Sequence, residues 1–308
     1  MRKIKEIKSK NLTWIILTNP RKKEINYLKK RFHFLNELDL KDCLPPLQRA
    51  KLVAHPEYLF MIFQFPFYER SKKEIKASEI DIFVNENTLI LVHEDKLPPL
   101  KEFIDLCSKD EKIRAKYLIG NPGILIYEIL NRLLNYCFPM LNHISLDIND
   151  LENQIFNGRY EETVIDVLSI RRNIINFRRA MQAHKGVIEK LLQKAPQFFS
   201  VAQINIYFHN LIAHLKEIWD DLETYKESIE ALYNTNESLV SLRLNEIMKT
   251  LTVFSVIVFP LTLVAGIFGM NTAVTPLVDN PHGFWYIILI MSSMTIVMAI
   301  FFKMKRWI

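Results

Sequence analysis

Residues 250–278 read TLTVFSVIVFPLTLVAGIFGMNTAVTPLV, and residues 280–302 read NPHGFWYIILIMSSMTIVMAIFF. Neither stretch contains a charged side chain. Within them, 250–268 and 284–302 are apolar runs of 19 residues each, close to the ~20 residues a helix needs to cross a hydrocarbon core of about 30 Å. The first run ends in Gly269-Met270-Asn271. The connecting stretch 269–283 has no Lys or Arg. Arg243 and Lys249 flank the first run, and Lys303, Lys305 and Arg306 close the second. Loops rich in Lys and Arg stay on the cytoplasmic side. The pattern therefore predicts a two-span, multi-pass protein of the cell membrane, with both termini in the cytoplasm and the short loop outside. Trp285 and Tyr286 fall at the outer interface and Trp307 at the inner one, as belt residues should.

The rest of the chain reads as a soluble body feeding this hairpin. A chain of 308 residues suffices for one large domain, or for a soluble domain with a small membrane portion. The start, Met1-Arg2-Lys3-Ile4-Lys5, is basic but no apolar core follows, so no secretory signal peptide is expected. Cys43, Cys107 and Cys137 are far apart and form no CxxC or His/Cys pairing, which predicts reduced thiols rather than a zinc site. Only seven glycines are present, and GxxxxGK, GxGxxG and GxSxG are all missing. ATP hydrolysis, dinucleotide binding and Ser-hydrolase chemistry thus lack their usual support. The net charge of +6 gathers in the first 31 residues, around 171–179, and in the C-terminal tail.

Thr13-Trp14-Ile15-Ile16-Leu17-Thr18, ended by Asn19-Pro20, reads as a strand. Residues 22–32 carry Ile25, Leu28 and Phe32 at helical spacing. Residues 58–67, between Pro56 and Pro66, read as a buried strand. Residues 79–84 and 88–93 are two more strands, joined by hairpin chemistry at Asn85-Glu86-Asn87. Residues 100–107 read as a helix. The expectation is an α/β layer with a mainly antiparallel or mixed sheet. His93, beside Glu94 and Asp95, reads as a strand-end histidine rather than a metal ligand. After Asn121-Pro122-Gly123, residues 124–156 form one long helix, with Pro139 predicting a kink. Residues 161–193 form a second, antiparallel to the first. It carries Arg171, Arg172, Arg178, Arg179 and Lys185. With Phe177 alone interleaved and no set of aromatic stacking residues, this basic stripe reads as a solvated face paired with acids such as Asp166, and no nucleic-acid partner is expected.

Pro196 is a natural helix start, with a break around Ser200 or Asn210 as the alternative. Leu211, Leu215, Ile218, Leu222, Tyr225, Ile229 and Leu232 are spaced 4, 3, 4, 3, 4, 3. That heptad seam calls for a helical partner. A different stripe follows: Asn245, Met248, Leu251, Ser255, Phe259, Thr262 and Gly266, in steps of three and four on one helix face. Lipid calls for no Asn, Ser or Thr. The spacing leaves two readings, helix–helix packing through small polar residues or the wall of a water-lined pore. Two spans cannot enclose a conduit alone, so a pore requires several copies around an axis.

Asn245-Glu246-Ile247-Met248-Lys249, Phe259-Pro260-Leu261-Thr262 and Ala265-Gly266-Ile267-Phe268-Gly269-Met270-Asn271 resemble the CorA family of magnesium and cobalt transporters. The GMN tripeptide at the end of the first of two C-terminal spans is that family's signature. Pro276, the tail Lys303-Met304-Lys305-Arg306-Trp307 and the strand pair at 80–93 are also similar, so the resemblance covers essentially the whole chain. The fold class this implies is an α/β cytoplasmic domain plus a long-helix funnel and a two-helix transmembrane hairpin, mainly α overall, as a homopentameric channel. The divisions are an N-terminal α/β domain at 1–120, cytoplasmic antiparallel helices at 121–195 and a stalk helix at 196–249. Spans at 250–268 and 284–302 flank an external GMN loop at 269–283, and a basic tail occupies 303–308.

The resemblance also implies a function. It is uptake of Mg2+, together with Co2+, driven by the membrane potential, with no enzymatic activity and no cofactor. The partners are the lipid bilayer, hydrated divalent cations and further copies of the chain. Gly269, Met270 and Asn271 would form the selectivity filter, with five Asn271 side chains as a polar ring at the outer mouth. The stripe from Asn245 to Gly266 would line the pore. Thr262 would offer a second polar ring, and Met248 and Leu251 hydrophobic constrictions that gate by dewetting. Mg2+ sheds water reluctantly, so side-chain carbonyls would hold the hydrated ion. A divalent ion gains about 4 to 5 kcal/mol crossing 100 mV, twice the single-charge figure.

The sequence departs from the family at three places. Phe268 stands where members usually have Tyr. The loop 272–278 is free of acids, with Asp279 alone just beyond it. Asn210 and Asn234 occupy positions where members carry acids linked to intersubunit regulatory Mg2+. Asp220, Asp221 and Glu223 are the substitute candidates for a regulatory metal site, against the reading of an ordinary solvated acidic face. Two alternatives stand beside Mg2+ uptake. One is a Zn2+ or Ni2+ transporter of the same fold, against which Met270 argues because zinc-active members tend to have Ile there. The other is a non-conducting membrane-tethered scaffold or sensor, in which the stripe would be spent on helix contacts.

Overall fold

The computed structural model describes residues 4–159, 162–202, 204–270 and 281–307. The chain divides into two compact units, Met1–Tyr233 and Asn234–Ile308. The first is built on a six-stranded sheet. Its strands are β1 (Ile4–Lys8), β2 (Thr13–Thr18), β3 (Lys51–Ala54), β4 (Leu59–Glu69), β5 (Glu74–Val84) and β6 (Thr88–His93). The spatial order is β1-β2-β6-β5-β4-β3. β2 and β6 run parallel and every other pair is antiparallel, so the sheet is mixed. Asn85 closes the β5–β6 hairpin. Its Oδ1 accepts the amides of Asn87 at 3.2 Å and Thr88 at 2.8 Å, the local side-chain turn that Asn favours.

Alternation along the strands assigns the two faces. Ile15 and Leu17 point to a core with Phe60, Ile62, Phe83 and Ile90. That face is covered by α1 (Lys22–Arg31) and α2 (Glu37–Asp42), through Ile25, Leu28 and Leu40. Trp14 points the other way, with its ring 5.6 Å from Phe103 of α3 (Pro98–Lys109). A short helix, α4 (Glu111–Tyr117), follows. β4 continues through Pro66, which the sequence suggested as a boundary. β3 reaches only Ile62 along β4, and Pro66 faces Ala77 of β5. Among the described residues no second strand lies there to need the missing amide.

α5 (Pro122–Phe156) also runs unbroken through its proline, Pro139. Pro139 and Asn135 are both exposed, so the carbonyl freed four residues earlier faces water. The expected second helix is two helices, α6 (Val164–Met181) and α7 (His184–Lys194). His184 explains the interruption. Its ring lies against Phe63 and Phe65, at 5.3 and 4.9 Å. Its Nδ1 bonds the Met181 carbonyl at 3.2 Å, taking an acceptor that a continuing helix would give to the backbone. α6 is fastened to the sheet by Asn173 and Asn176, which bond the amide and carbonyl of Ile75 at 2.9 and 3.0 Å.

The long helix α8 spans Asn205–Phe268. Pro196 lies in a single 3-10 turn, Ala195–Gln197, rather than at its start. The intervening chain docks on the beginning of α5. A side chain at Gly123 would collide with Ile204 and come within 2.7 Å of the Phe199 ring, and Asn121 donates to the Ser200 carbonyl at 2.9 Å. The seam residues Leu211, Leu215, Ile218, Leu222, Ile229 and Leu232 are all buried, and Tyr225 is half-buried. Their partners lie within the chain. α5 runs parallel to α8, with Tyr127 against Tyr207 and Phe138 against His214. α6 runs antiparallel to it, with Arg178 over Trp219 and Arg171 over Tyr233. In the second unit, the end of α8 and α9 (Gly283–Met304) are each long and apolar enough to cross a membrane.

Burial holds the His184 imidazole down, at about 4 against an ordinary 6.5. The unfolded chain therefore takes up this proton first, and the folded state loses stability as pH falls through that interval. His184→Phe keeps the aromatic contact and should flatten the acid-side decline. Unfolding midpoints of the full-length protein at pH 7 and 5 read this, and an unchanged decline would show that His184 is not its source.

Candidate ion pathway and the family of the chain

A helix turns by about 100° per residue, which sorts the span of α8 into faces. Val253 is buried, and Ile257, Pro260, Leu261 and Val264 are half-buried. These positions share one side. Asn245, Met248, Leu251, Phe259, Thr262 and Gly266 lie on the opposite side and are all exposed, with Ser255 half-buried among them. Phe259 is 71% exposed and Met248 61%. The stripe is therefore not consumed by packing within its own chain.

Three threonines along this part of α8 dispose their hydroxyls in one way. Thr262 Oγ1 donates to the Val258 carbonyl at 2.9 Å, Thr252 to Met248 at 2.7 Å and Thr250 to Glu246 at 3.0 Å. A threonine whose proton is committed to its own backbone presents only lone pairs outward. Thr262 is consequently an acceptor, the polarity a cation or its water shell requires.

The helix stops at Phe268. Gly269 donates its amide to Ala265 O at 2.9 Å and Met270 to Ile267 O at 3.3 Å. A Cβ on Gly269 would sit 3.0 Å from the Ala265 oxygen, so a side chain there would press on the last turn. Met270 is exposed. Asn271, Pro276 and Asp279 lie outside the described residues.

The candidate regulatory acids lie on the first unit's stretch of α8. Glu223 is engaged by Arg178 at 2.5 Å and Lys226 at 3.2 Å, and the bond to Lys226 chiefly holds its carboxyl below the usual range. Asp220 is exposed and Asp221 half-buried. Burial raises Asp221, aided by Glu217 and Asp220. Among the described residues no group of three or more His, Cys, Asp or Glu side chains is placed to hold a metal. Asn210 lies beside the Tyr127 hydroxyl. On α6, Arg178 pairs with Glu223 and Arg172 with Glu74 at 3.6 Å, and Arg171 lies over the Tyr233 ring. His93 ends β6 with Thr18 at 3.1 Å on one ring nitrogen and the Glu94 carbonyl at 2.9 Å on the other, so both nitrogens are occupied.

The family model described as CorA-like Mg2+ transporter protein matches residues 9–306. The chain belongs to that family. The cobalt/magnesium transport protein CorA of Thermotoga maritima is 26% identical over 300 residues, covering 96% of this chain and 83% of that protein. The cobalt/magnesium transport protein CorA of Methanocaldococcus jannaschii is 25% identical over 297 residues, covering 96% and 92%. The complete structure of the CorA magnesium transporter from the same archaeon superposes with a TM-score of 0.80 over 97% of this chain and 92% of that one, at 24% identity. Membership in this family makes the chain a two-span membrane protein and a divalent cation transporter rather than an enzyme.

One polar cluster escaped the sequence reading. Glu79 and Asp81 lie side by side on one face of β5, both buried, at a cavity of about 320 Å3 that Cys43, His93 and Glu94 also line. The strand Glu79-Ile80-Asp81-Ile82 signals them, because acids two apart share a face. Glu79 accepts the Gln48 amide. Burial pushes Glu79 up to about 7. Burial, with the charge of Glu79, pushes Asp81 well above the carboxylate range. The folded chain thus keeps a proton that the unfolded chain, near 4.5, releases. The stability this confers is full below that value and is lost as pH rises through about 7. Glu79→Gln, which can still accept from Gln48, should reduce this loss in unfolding curves between pH 5 and 8, leaving the part that belongs to Asp81. An identical pH dependence in the variant would exclude Glu79 as its source.

Proposed function

We propose that the chain is a homopentameric channel for Mg2+, and for Co2+, with α8 as the inner wall and α9 outside it. The single observation that carries this reading is the exposed stripe on the side of α8 away from its covered face, in a chain of this family. Five copies would turn Asn245, Ser255 and Thr262 toward one axis, alternating with apolar Met248, Leu251 and Phe259. The cytoplasmic portion would comprise 1–249 and the basic tail, with the 269–283 loop outside. Asn271, next to the Gly269–Met270 turn, would close the outer end with five carboxamides.

The chemistry suits an ion that keeps its water. Neutral acceptors cannot compensate for stripping Mg2+, but they can hydrogen-bond its shell. Zn2+ prefers His and Cys ligands, and the stripe has neither. A scaffold would have no use for an uncovered Thr262 within the span. The relatives from T. maritima and M. jannaschii are named cobalt/magnesium transport proteins, which supports the same cargo here. Cytoplasmic Mg2+ would act weakly on the closed state. Asn210 and Asn234 carry no charge, and Glu223 is already neutralised by Arg178 and Lys226. Asp220 and Asp221 remain for any site between copies.

In proteoliposomes with an inward-negative potential, Asn271→Ala should abolish Mg2+ uptake while size-exclusion chromatography shows assembly intact. Thr262→Val, which removes the outward acceptor, should give a smaller loss. Mg2+ and Co2+ should enter ahead of Zn2+ in the same vesicles. Undiminished flux in Asn271→Ala would sink the filter assignment.

A further inference from the structure

A groove of about 710 Å3 lies where the charged part of α8 meets its apolar run. Arg243, Glu246 and Lys249 line its polar end, Ile247 and Phe254 its apolar wall, and Trp307 one side. All belong to the second unit. Arg243, Ile247 and Phe254 follow one another at helical spacing, so cation and apolar wall share a face. Arg243 is paired with Glu246 at 3.1 Å, and Lys249 has no ion pair among the described residues. Trp307 is held in place by stacking on Phe302, at 5.8 Å and 27°, and by its amide on the Phe302 carbonyl at 3.0 Å. Ile247 and Phe254 are exposed, at 51% and 65%.

We propose that this groove binds one anionic phospholipid. The phosphate sits between Arg243 and Lys249, level with Ile247, an acyl chain runs along Phe254, and the Trp307 indole lies at the glycerol level. The order of features is that of the ligand, with Arg243 and Lys249 at the membrane boundary and Phe254 beyond them along the span. Basic residues at such a boundary attract anionic headgroups, and tryptophan favours this depth. A free soluble anion would use the cations and leave the apolar wall uncovered. Glu246 competes with the phosphate for Arg243, which gives the proposal a sign. Removing that carboxylate strengthens binding, whereas removing the cations weakens it. The inference rests on the two spans and not on conduction. Variants that lose the lipid and still move Mg2+ leave the pore reading standing.

The test is native mass spectrometry of the full-length protein in neutral detergent, titrated with phosphatidylglycerol or with phosphatidylcholine of the same chains. The wild-type protein should retain phosphatidylglycerol preferentially. Arg243→Gln with Lys249→Gln, both exposed positions, should weaken that retention by roughly tenfold or more. Glu246→Gln should raise it, and inorganic phosphate should not compete. Retention unchanged in the double variant would overturn the proposal, as would displacement by inorganic phosphate at equal concentration. So would a preference abolished by Lys305→Gln alone, because Lys305 does not line the groove.

Discussion

Inside a bilayer every backbone amide and carbonyl must find its partner within the protein, because no water is there to supply one. Two charge-free runs of membrane length therefore become helices, and most of the second unit follows from that. The same constraint reaches the side chains. Thr250, Thr252, Thr262 and Thr295 each donate to the carbonyl one turn back, at 2.7 to 3.0 Å. A hydroxyl that closes its donor on its own helix avoids the cost of an unpaired polar group in an apolar medium. Its acceptor face remains available outward. Polar residues are thereby tolerated in a lipid-facing sequence and made useful at the same time.

One helix obeys two rules along its length. Up to Leu232 the pattern of α8 is a heptad seam, buried against α5 and α6 as in any soluble bundle. From Asn245 on the periodic residues are exposed apart from half-buried Ser255, and they include Asn, Thr and Gly. The seam hides apolar groups from water, where burial is worth about 25 cal/mol per Å2. The second stripe gains nothing from burial in lipid, where the solvent is already apolar. The change of rule along a single unbroken helix marks the passage from one solvent to another.

This periodicity explains why so much was readable in advance. The spans, the seam, the strands β2, β5 and β6 and the Asn85 turn each rest on residues adjacent in sequence. What escaped depends on contacts between distant residues. The break before His184 exists because Phe63 and Phe65 of β4 form a site for its ring. Pro66 and Pro139 are accommodated because their unsatisfied backbone positions fall at a free strand edge and a wet helix face. The break near Ser200, which the sequence offered only as an alternative, follows from the close approach of Phe199 and Ile204 to Gly123. β1 and β3 were invisible for another reason. Short edge strands rich in lysine, such as Ile4-Lys5-Glu6-Ile7-Lys8, are built to look unlike strands, since charge on an edge prevents pairing with other chains. In the candidate pathway the stripe was legible, but its freedom from packing was not. Spacing puts residues on a face without saying what the face meets.

The absence of carboxylates from the stripe is its most informative chemical property. A ring of ionised acids would attract a dication strongly and then hold it, and conduction requires binding weak enough to release. Neutral acceptors at Asn245, Ser255 and Thr262, separated by Met248, Leu251 and Phe259, offer only hydrogen bonds. A bare dication would find too little there to replace its shell, whereas a hydrated one would find partners for its water protons. Apolar rings between the polar ones would exclude that hydrated ion until they widen. Selection and gating would then fall to different residues of the same face, with polar positions recognising the shell and apolar positions opposing its passage. This division requires no nucleotide and no titrating side chain within the span, in keeping with a helix whose last charged residue before Gly269 is Lys249.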